Sequence, residues 1–211
     1  MKTTVVVSKY QENVEWITQI KHDVIVYDKS SNPIENSISR PNVGREAETL
    51  LFYIISNYHS LPDIVIFLQG DPFPRTNQVP SMKIEEWIDI INKDHEKKIK
   101  SILTWEGTIN IEENWLKRVP ELHRRLFENY KNIVKYSTGA QYVIPKENML
   151  KNPLDLYEAL HYQILKFGHT GLIAEQTHIN DGIDAWSMEA TWYELLDLDR
   201  KINLNYKKNL Q

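Results

Sequence analysis

A chain of 211 residues with 41% apolar and 26% charged residues has ordinary globular composition and enough length for one well-buried core. A formal net charge of -4 argues against the broad basic surface that nucleic acid requires. The short basic clusters Lys97-Lys98 and Arg124-Arg125 are flanked by acids and read as solvated helix faces. With no cysteine, disulfides and thiolate metal sites are excluded, so any metal must be held by carboxylates, histidines or phosphate oxygens. No apolar run approaches the roughly 18–20 residues of a membrane span. The N-terminus enters a short β-branched run that is too brief for a secretory signal, and a soluble, cytoplasmic protein is the default expectation.

The first predicted element is a buried strand over Thr3–Ser8 (TTVVVS), a continuous β-branched run. Val14, Trp16, Ile17 and Ile20 then keep a roughly helical spacing. A second buried strand follows at Asp23–Tyr27 (DVIVY), and the polar stretch from Asp28 to Asn36, with Pro33, reads as a loop. After Pro41 a loop turns into a helix whose apolar face is Leu50, Leu51, Ile54 and Ile55. Leu61-Pro62 breaks that helix before a third buried strand, Asp63–Leu68 (DIVIFL). The β-α-β-α-β order predicts an α/β fold with a mostly parallel central sheet and helices on both faces.

The middle of the chain is less regular. Ile84–Ile91 has helical spacing, Ser101–Thr104 reads as a strand, and Trp115–Tyr130 reads as a helix despite Pro120. Gln141–Ile144 predicts another strand, with Gly139 just before it. Leu154–Phe167 is an amphipathic helix after Pro153, and Met188–Leu196 predicts one more. Without an internal repeat or a convincing linker, one domain over 1–211 is expected.

In open α/β sheets ligands bind beyond the carboxyl ends of the strands, which here are Ser8–Glu12, Asp28–Ser31 and Gln69–Asp71. Ser8-Lys9-Tyr10-Gln11-Glu12, Val26-Tyr27-Asp28-Lys29-Ser30-Ser31, Asn42-Val43-Gly44-Arg45 and Phe67-Leu68-Gln69-Gly70-Asp71 occur in that order. This ordered set resembles the nucleotide-binding half of the GT-A glycosyltransferases, whose corresponding landmarks are P-x-Y-N-E, V-V-D-D-G-S, N-x-G and F-L-D-x-D. The chain also resembles an uncharacterised family marked by N-V-G-R-E, F-L-Q-G-D-P and G-A-Q, found here as Asn42–Glu46, Phe67–Pro72 and Gly139–Gln141. Glu189-Ala190-Thr191-Trp192 fits the same pattern.

The GT-A resemblance implies a three-layer sandwich whose nucleotide-binding part spans about 1–75 and whose acceptor and catalytic part spans about 76–211. It implies transfer of a sugar from a UDP- or GDP-type nucleotide-sugar donor to a carbohydrate hydroxyl, within glycan biosynthesis. Ser8, Tyr10, Asp28, Asn42, Arg45, Gln69, Gly70, Asp71, Gly139 and Gln141 are then the candidate donor-binding residues, and Asp71 the candidate metal ligand. Gln69 replaces the first carboxylate of the family motif, so a single carboxylate remains. That suits Mn²⁺ or Mg²⁺ completed by phosphates and water, and equally a metal-independent site in which Arg40 or Arg45 neutralises the diphosphate.

Each candidate also has a plainer reading. Asp28 suits an Asx turn, Asp71 a Gly-Asp-Pro turn, Gly44-Arg45-Glu46 a loop-to-helix junction, and Gly139-Ala140-Gln141 tight packing. Glu46 and Glu48 complement a helix dipole. The C-terminal part must supply a general base, and Glu189 is the choice, entering a helix beside Trp186 and Trp192, with Asp184 and Asp181 behind it. The seven histidines show no HExxH spacing, though His169 or His178 from a C-terminal loop could approach phosphates. A P-loop, a G-x-S-x-G elbow and GxGxxG are all missing. Two other classes stay open: a silent nucleotide- or sugar-binding module on the same scaffold, and a metal-dependent phosphoesterase, for which no second acidic cluster is visible.

Overall fold

The computed structural model describes residues 1–73, 83–112, 119–167 and 185–210. The buried β-branched runs become β1 (Thr3–Lys9), β2 (Asp23–Asp28) and β4 (Ile64–Gln69). β1 lies parallel between the other two, with Val6 opposite Ile25 on one side and Phe67 on the other. β3 (Ile38–Ser39) continues the parallel set beside β2, while β8 (Tyr142–Pro145) runs antiparallel to both β4 and β5 (Lys100–Ser101). The six strands stand in the order β3-β2-β1-β4-β8-β5. The fold is therefore an α/β sandwich on a mostly parallel sheet.

Alternation along the strands sorts side chains into two cores. Val6, Tyr27, Val65, Phe67, Tyr142 and Ile144 pack with α1 (Arg45–Asn57), α5 (Leu154–Phe167) and α7 (Trp192–Leu196). Val5, Val7, Ile64, Ile66, Leu68 and Val143 pack on the opposite face with Trp16 and with Trp87, Ile88 and Ile91 of α2 (Ile84–Asn92). Each such side chain contributes about 1.5–3 kcal/mol by leaving water. That is why strands buried on both faces read as unbroken apolar runs.

Several elements differ from the expectation. The segment around Trp16 is a five-residue 3-10 turn, Glu15–Gln19, rather than an α-helix. It is pinned at both ends, by Asn13 Oδ1 accepting from the Glu15 N–H (2.8 Å) and Asn92 Oδ1 accepting from the Lys21 N–H (2.7 Å), so no room is left for further turns. The helix around Pro120 is α3 (Val119–Leu126), with the proline in its first turn, where a missing N–H costs nothing. It stops where Phe127 pairs with Ile202. The helix predicted over Met188–Leu196 is two helices, α6 (Ala185–Glu189) and α7. Between them the Thr191 hydroxyl donates to the Ser187 carbonyl at 2.6 Å, competing with the backbone ladder. A separate two-stranded antiparallel sheet, β6 (Glu106–Asn110) with β7 (Ile133–Ser137), adds to the elements that the sequence predicts. α4 (Lys146–Leu150) follows β8 and α8 (Tyr206–Asn209) lies near the C-terminus. No described helix is long and apolar enough to cross a membrane.

The sheet geometry gathers one set of loops. β1, β2, β4 and β5 all end at one edge, and β8 begins there, since Tyr142 stands opposite both Phe67 and Ser101. The segments after β1, β2, β4 and β5, the turn before β8 and the start of α1 therefore share that carboxyl edge.

Candidate active site

On the β2 side of this edge, charges are buried and fully matched. Asp28 is wholly shielded from solvent. Its Oδ1 accepts from the Ser30 N–H at 2.8 Å, and its Oδ2 accepts from the Ile34 N–H at 3.1 Å and pairs with Lys9 Nζ at 3.0 Å. Burial alone would raise its pKa, yet these partners outweigh it and hold the carboxyl below its ordinary value. Asp28 thus serves as an Asx turn and buried ion pair. Ser8 likewise spends its hydroxyl on Thr49 Oγ1, at 2.9 Å, tying β1 to α1.

Glu48 is the centre of the same region, also wholly buried. Its Oε2 pairs with Lys29 Nζ at 2.6 Å, and its Oε1 accepts from Arg40 Nε at 3.0 Å and lies 3.2 Å from His161 Nε2. Burial pushes the Glu48 carboxyl up, but His161, Lys29 and Arg40 together bring it down to about 2. Lys29 also donates to the Val43 carbonyl at 2.9 Å, which fixes the loop leading to α1. Arg40, considered from sequence as a diphosphate partner, is committed to Glu48 and lies 3.4 Å over the Phe52 ring.

The β4–β8 side is built differently. Glu189 is the last residue of α6, not the start of a helix, and is 6% exposed. Its Oε1 accepts from the Tyr136 hydroxyl at 2.7 Å and from the Gly139 N–H at 2.9 Å. Gly139 has φ +75° and Ala140 φ +49°, so the turn that aims this N–H is left-handed. An alanine in that region is strained, and glycine is the residue that tolerates it. Burial raises the Glu189 pKa, and the Gly139 N–H, the Tyr136 hydroxyl and Arg45 offset it only in part. Here, unlike at Glu48, desolvation wins.

A second buried carboxylate stands nearby. Glu46, 7% exposed, is raised by burial, relieved by Arg45 and raised again by the charge of Glu189. Arg45 Nε lies 3.7 Å from Glu46 Oε2, and its own side chain is half exposed at the rim. Gly44 and Arg45 are again a left-handed pair, at φ +59° and +48°. At Gly44 an added Cβ would fall 2.1 Å from Ile164 Cγ2, so the α1 start is pressed onto α5. Two left-handed pairs, Gly44-Arg45 and Gly139-Ala140, thus bring a guanidinium and a backbone N–H into the field of Glu189.

The β4 loop closes the rim. At Gly70 a Cβ would stand 2.8 Å from Glu12 Oε2, so the β1 and β4 loops touch there. Trp16 Nε1 donates to the Gly70 carbonyl at 3.0 Å, and Gln141 Nε2 donates to the Pro72 carbonyl at 3.2 Å. Gln141 is buried and holds the β4 loop through its Nε2, while its Oε1 is unmatched among the described residues. Gln69 is half-buried, with its amide beside Gly139. Tyr10 is 41% exposed, and Asn42 and Asp71 are half-buried. Among the described residues no group of three or more histidines or carboxylates is placed to hold a metal ion. Asp71 brings one carboxylate, which does not make a metal centre by itself.

The structure therefore brings Arg45, Gln69, Gly139 and Glu189 together, leaves Tyr10, Asn42, Gly70 and Asp71 along the rim, and withdraws Ser8, Asp28 and Gln141 into structural work. Asp181, Asp184, His169 and His178 lie outside the described residues, as does the side chain of Trp186. Trp192 is fully buried core and offers no face to a sugar. Sequence reasoning missed Glu46 as a site carboxylate, although it adjoins Arg45 in N-V-G-R-E. It also missed Tyr136, for which no local signal exists.

A family model described as a protein of unknown function (DUF3431) matches residues 4–206. No curated protein and no solved structure gives a significant match. The chain belongs to the DUF3431 family.

Proposed function

We propose that this chain is a glycosyltransferase, moving a sugar from a UDP- or GDP-type nucleotide-sugar to a carbohydrate hydroxyl, with Glu189 as general base. The observation that carries the reading is Glu189. It is a buried carboxylate of raised pKa, oriented by Tyr136 and Gly139 at the sheet edge where α/β folds bind ligands. A carboxylate tuned upward is a better proton acceptor near neutral pH than an ordinary surface glutamate.

In this reading the donor lies along the rim, with the nucleoside near Tyr10 and Asn42 and the diphosphate between Arg45 and the Gln69-Gly70-Asp71 loop. The acceptor hydroxyl gives its proton to Glu189 as its oxygen bonds to the anomeric carbon. The bond from that carbon to the diphosphate oxygen breaks, and the nucleoside diphosphate leaves with the electron pair. Arg45 offsets the charge growing on the departing group, because guanidinium suits phosphate oxygens. Mn²⁺ or Mg²⁺ would find one carboxylate, at Asp71, and would offset charge on the departing diphosphate.

A thermal-shift screen of UDP, GDP, CMP and their sugars, with and without Mn²⁺, tests the donor site. Ligand binding to the native state alone raises its stability by mass action, by about 2.7 kcal/mol at a hundredfold excess over Kd. A rise with one nucleotide that Arg45→Ala abolishes supports the reading. No rise with any nucleotide at millimolar concentration overturns it. A rise without sugar transfer or hydrolysis would instead fit a silent binding module.

A further inference from the structure

We infer that Trp105 is a stacking platform for the sugar ring of the acceptor, mounted beside Glu189. Trp105 follows β5, at the far end of the carboxyl edge from β2, with β4 and β8 between it and the loop that carries Tyr10. It is 38% exposed, so much of an indole faces solvent. One exposed tryptophan is unremarkable on a protein surface. What distinguishes this one is how it is held and what it adjoins.

The ring is seated against Gly107, where a Cβ would lie 2.1 Å from Trp105 Cζ2 and 2.3 Å from Cη2. Only a residue without a side chain leaves room for the indole there. Its ring centre is 6.2 Å from that of Tyr136, at an interplanar angle of 55°. Tyr136 is the same residue whose hydroxyl donates to Glu189. The backbone repeats the link. The Trp105 carbonyl accepts from the Thr138 N–H at 3.3 Å, and Thr104 Oγ1 donates to the Thr138 carbonyl at 2.7 Å. Thr138 immediately precedes Gly139, which holds the other hydrogen bond to Glu189. Segments 104–105 and 136–139 therefore fix an exposed aromatic and a buried carboxylate in one frame.

A rigid aromatic face with a proton acceptor beside it suits a pyranose ring. The C–H face lies on the indole at little conformational cost, and ring hydroxyls at the edge point toward polar partners. The assignment rests on Glu189 being the base, and it places the acceptor on the β5 side of the edge, with β8 between Trp105 and the β4 loop that takes the diphosphate.

Saturation-transfer NMR on the full chain without nucleotide, using the methyl β-glycosides of glucose, galactose, mannose and xylose, tests it. At least one glycoside is expected to receive saturation on the protons of one ring face. Trp105→Ala should reduce that signal at least fivefold and Trp105→Phe should keep most of it. Gly107→Ala, which removes nothing but displaces the indole, should also reduce it. No saturation with any glycoside, or an unchanged signal in Trp105→Ala of unaltered thermal midpoint, overturns the platform. Glycoside signal dependent on Trp105 in a protein that binds no nucleotide would uphold the platform while overturning the donor reading.

Discussion

The two halves of the carboxyl edge hold similar numbers of buried carboxylates and treat them in opposite ways. Around β2, Asp28 and Glu48 meet Lys9, Lys29, Arg40 and His161 at hydrogen-bond range, and both carboxyls sit below their ordinary pKa. Around β8, Glu46 and Glu189 are also buried, but Arg45 offsets them from a half-exposed position, 3.7 Å from Glu46, and both carboxyls sit above it. Matched buried charges fix the path of a loop. Under-compensated ones in a strained frame are costly to fold, and such groups cluster where chemistry is done.

Breaking the matched half should have the largest effect on stability. Glu48→Gln leaves Lys29 and Arg40 buried without their carboxylate, and removing one partner of such a set costs about 3–5 kcal/mol. Urea unfolding at neutral pH should show that loss as a lower midpoint. A loss below about 1 kcal/mol, the range of surface pairs, would mean the cluster is solvated and the contrast between the halves is false.

Gly44 joins the halves, and Gly44→Ala should come next. It meets both a positive φ and Ile164, and strain of this kind costs about 1–3 kcal/mol. The same unfolding measurement checks it, and a neutral result would mean that the α1 start shifts freely on α5.

The pH dependence should separate the halves by sign. A carboxyl depressed in the folded state stabilises above its unfolded pKa and loses that contribution as pH falls through the folded one. For Glu48 the window runs from its ordinary 4.5 down to about 2. Glu46 and Glu189 are raised, so acid favours their folded forms and they cannot drive acid unfolding. Unfolding free energy measured from pH 5 to 2.5 should fall steeply in wild type and less steeply in Glu48→Gln. The smallest effect should be on the acid limb of turnover. Tyr136→Phe removes a hydrogen bond that lowers the Glu189 pKa, so the limb should move to higher pH.

How much of this contrast the sequence carries depends on the distance between partners. β1, β2 and β4 are legible because each is a buried run on its own, and α5 because its periodicity is local. β6 and β7 are short segments whose ladder is with each other, remote in sequence, and the Thr191 hydroxyl stands at the break between α6 and α7. In the site, Arg45, Gly139 and Glu189 stood out by residue type and position. Asp28 is legible as an Asx turn because Ser30 lies two positions away, whereas the role of Glu48 is not, because its partners are remote: Lys29 lies 19 positions away and His161 lies 113. A carboxylate at a strand end or in a first helical turn reads the same whether it is matched or left over.

The most direct measurement is paired binding and turnover in Glu189→Gln, once the screen has named the nucleotide. The amide keeps the shape and can still accept from Tyr136 and Gly139, so the variant should fold at least as stably as wild type and bind the nucleotide unchanged. Its transfer to a carbohydrate acceptor should fall by about 10²–10⁴-fold, the range general-base catalysis supplies. Transfer at the wild-type rate, or nucleotide binding lost together with the fold, would contradict a base at Glu189 and make it a structural carboxylate like Glu48.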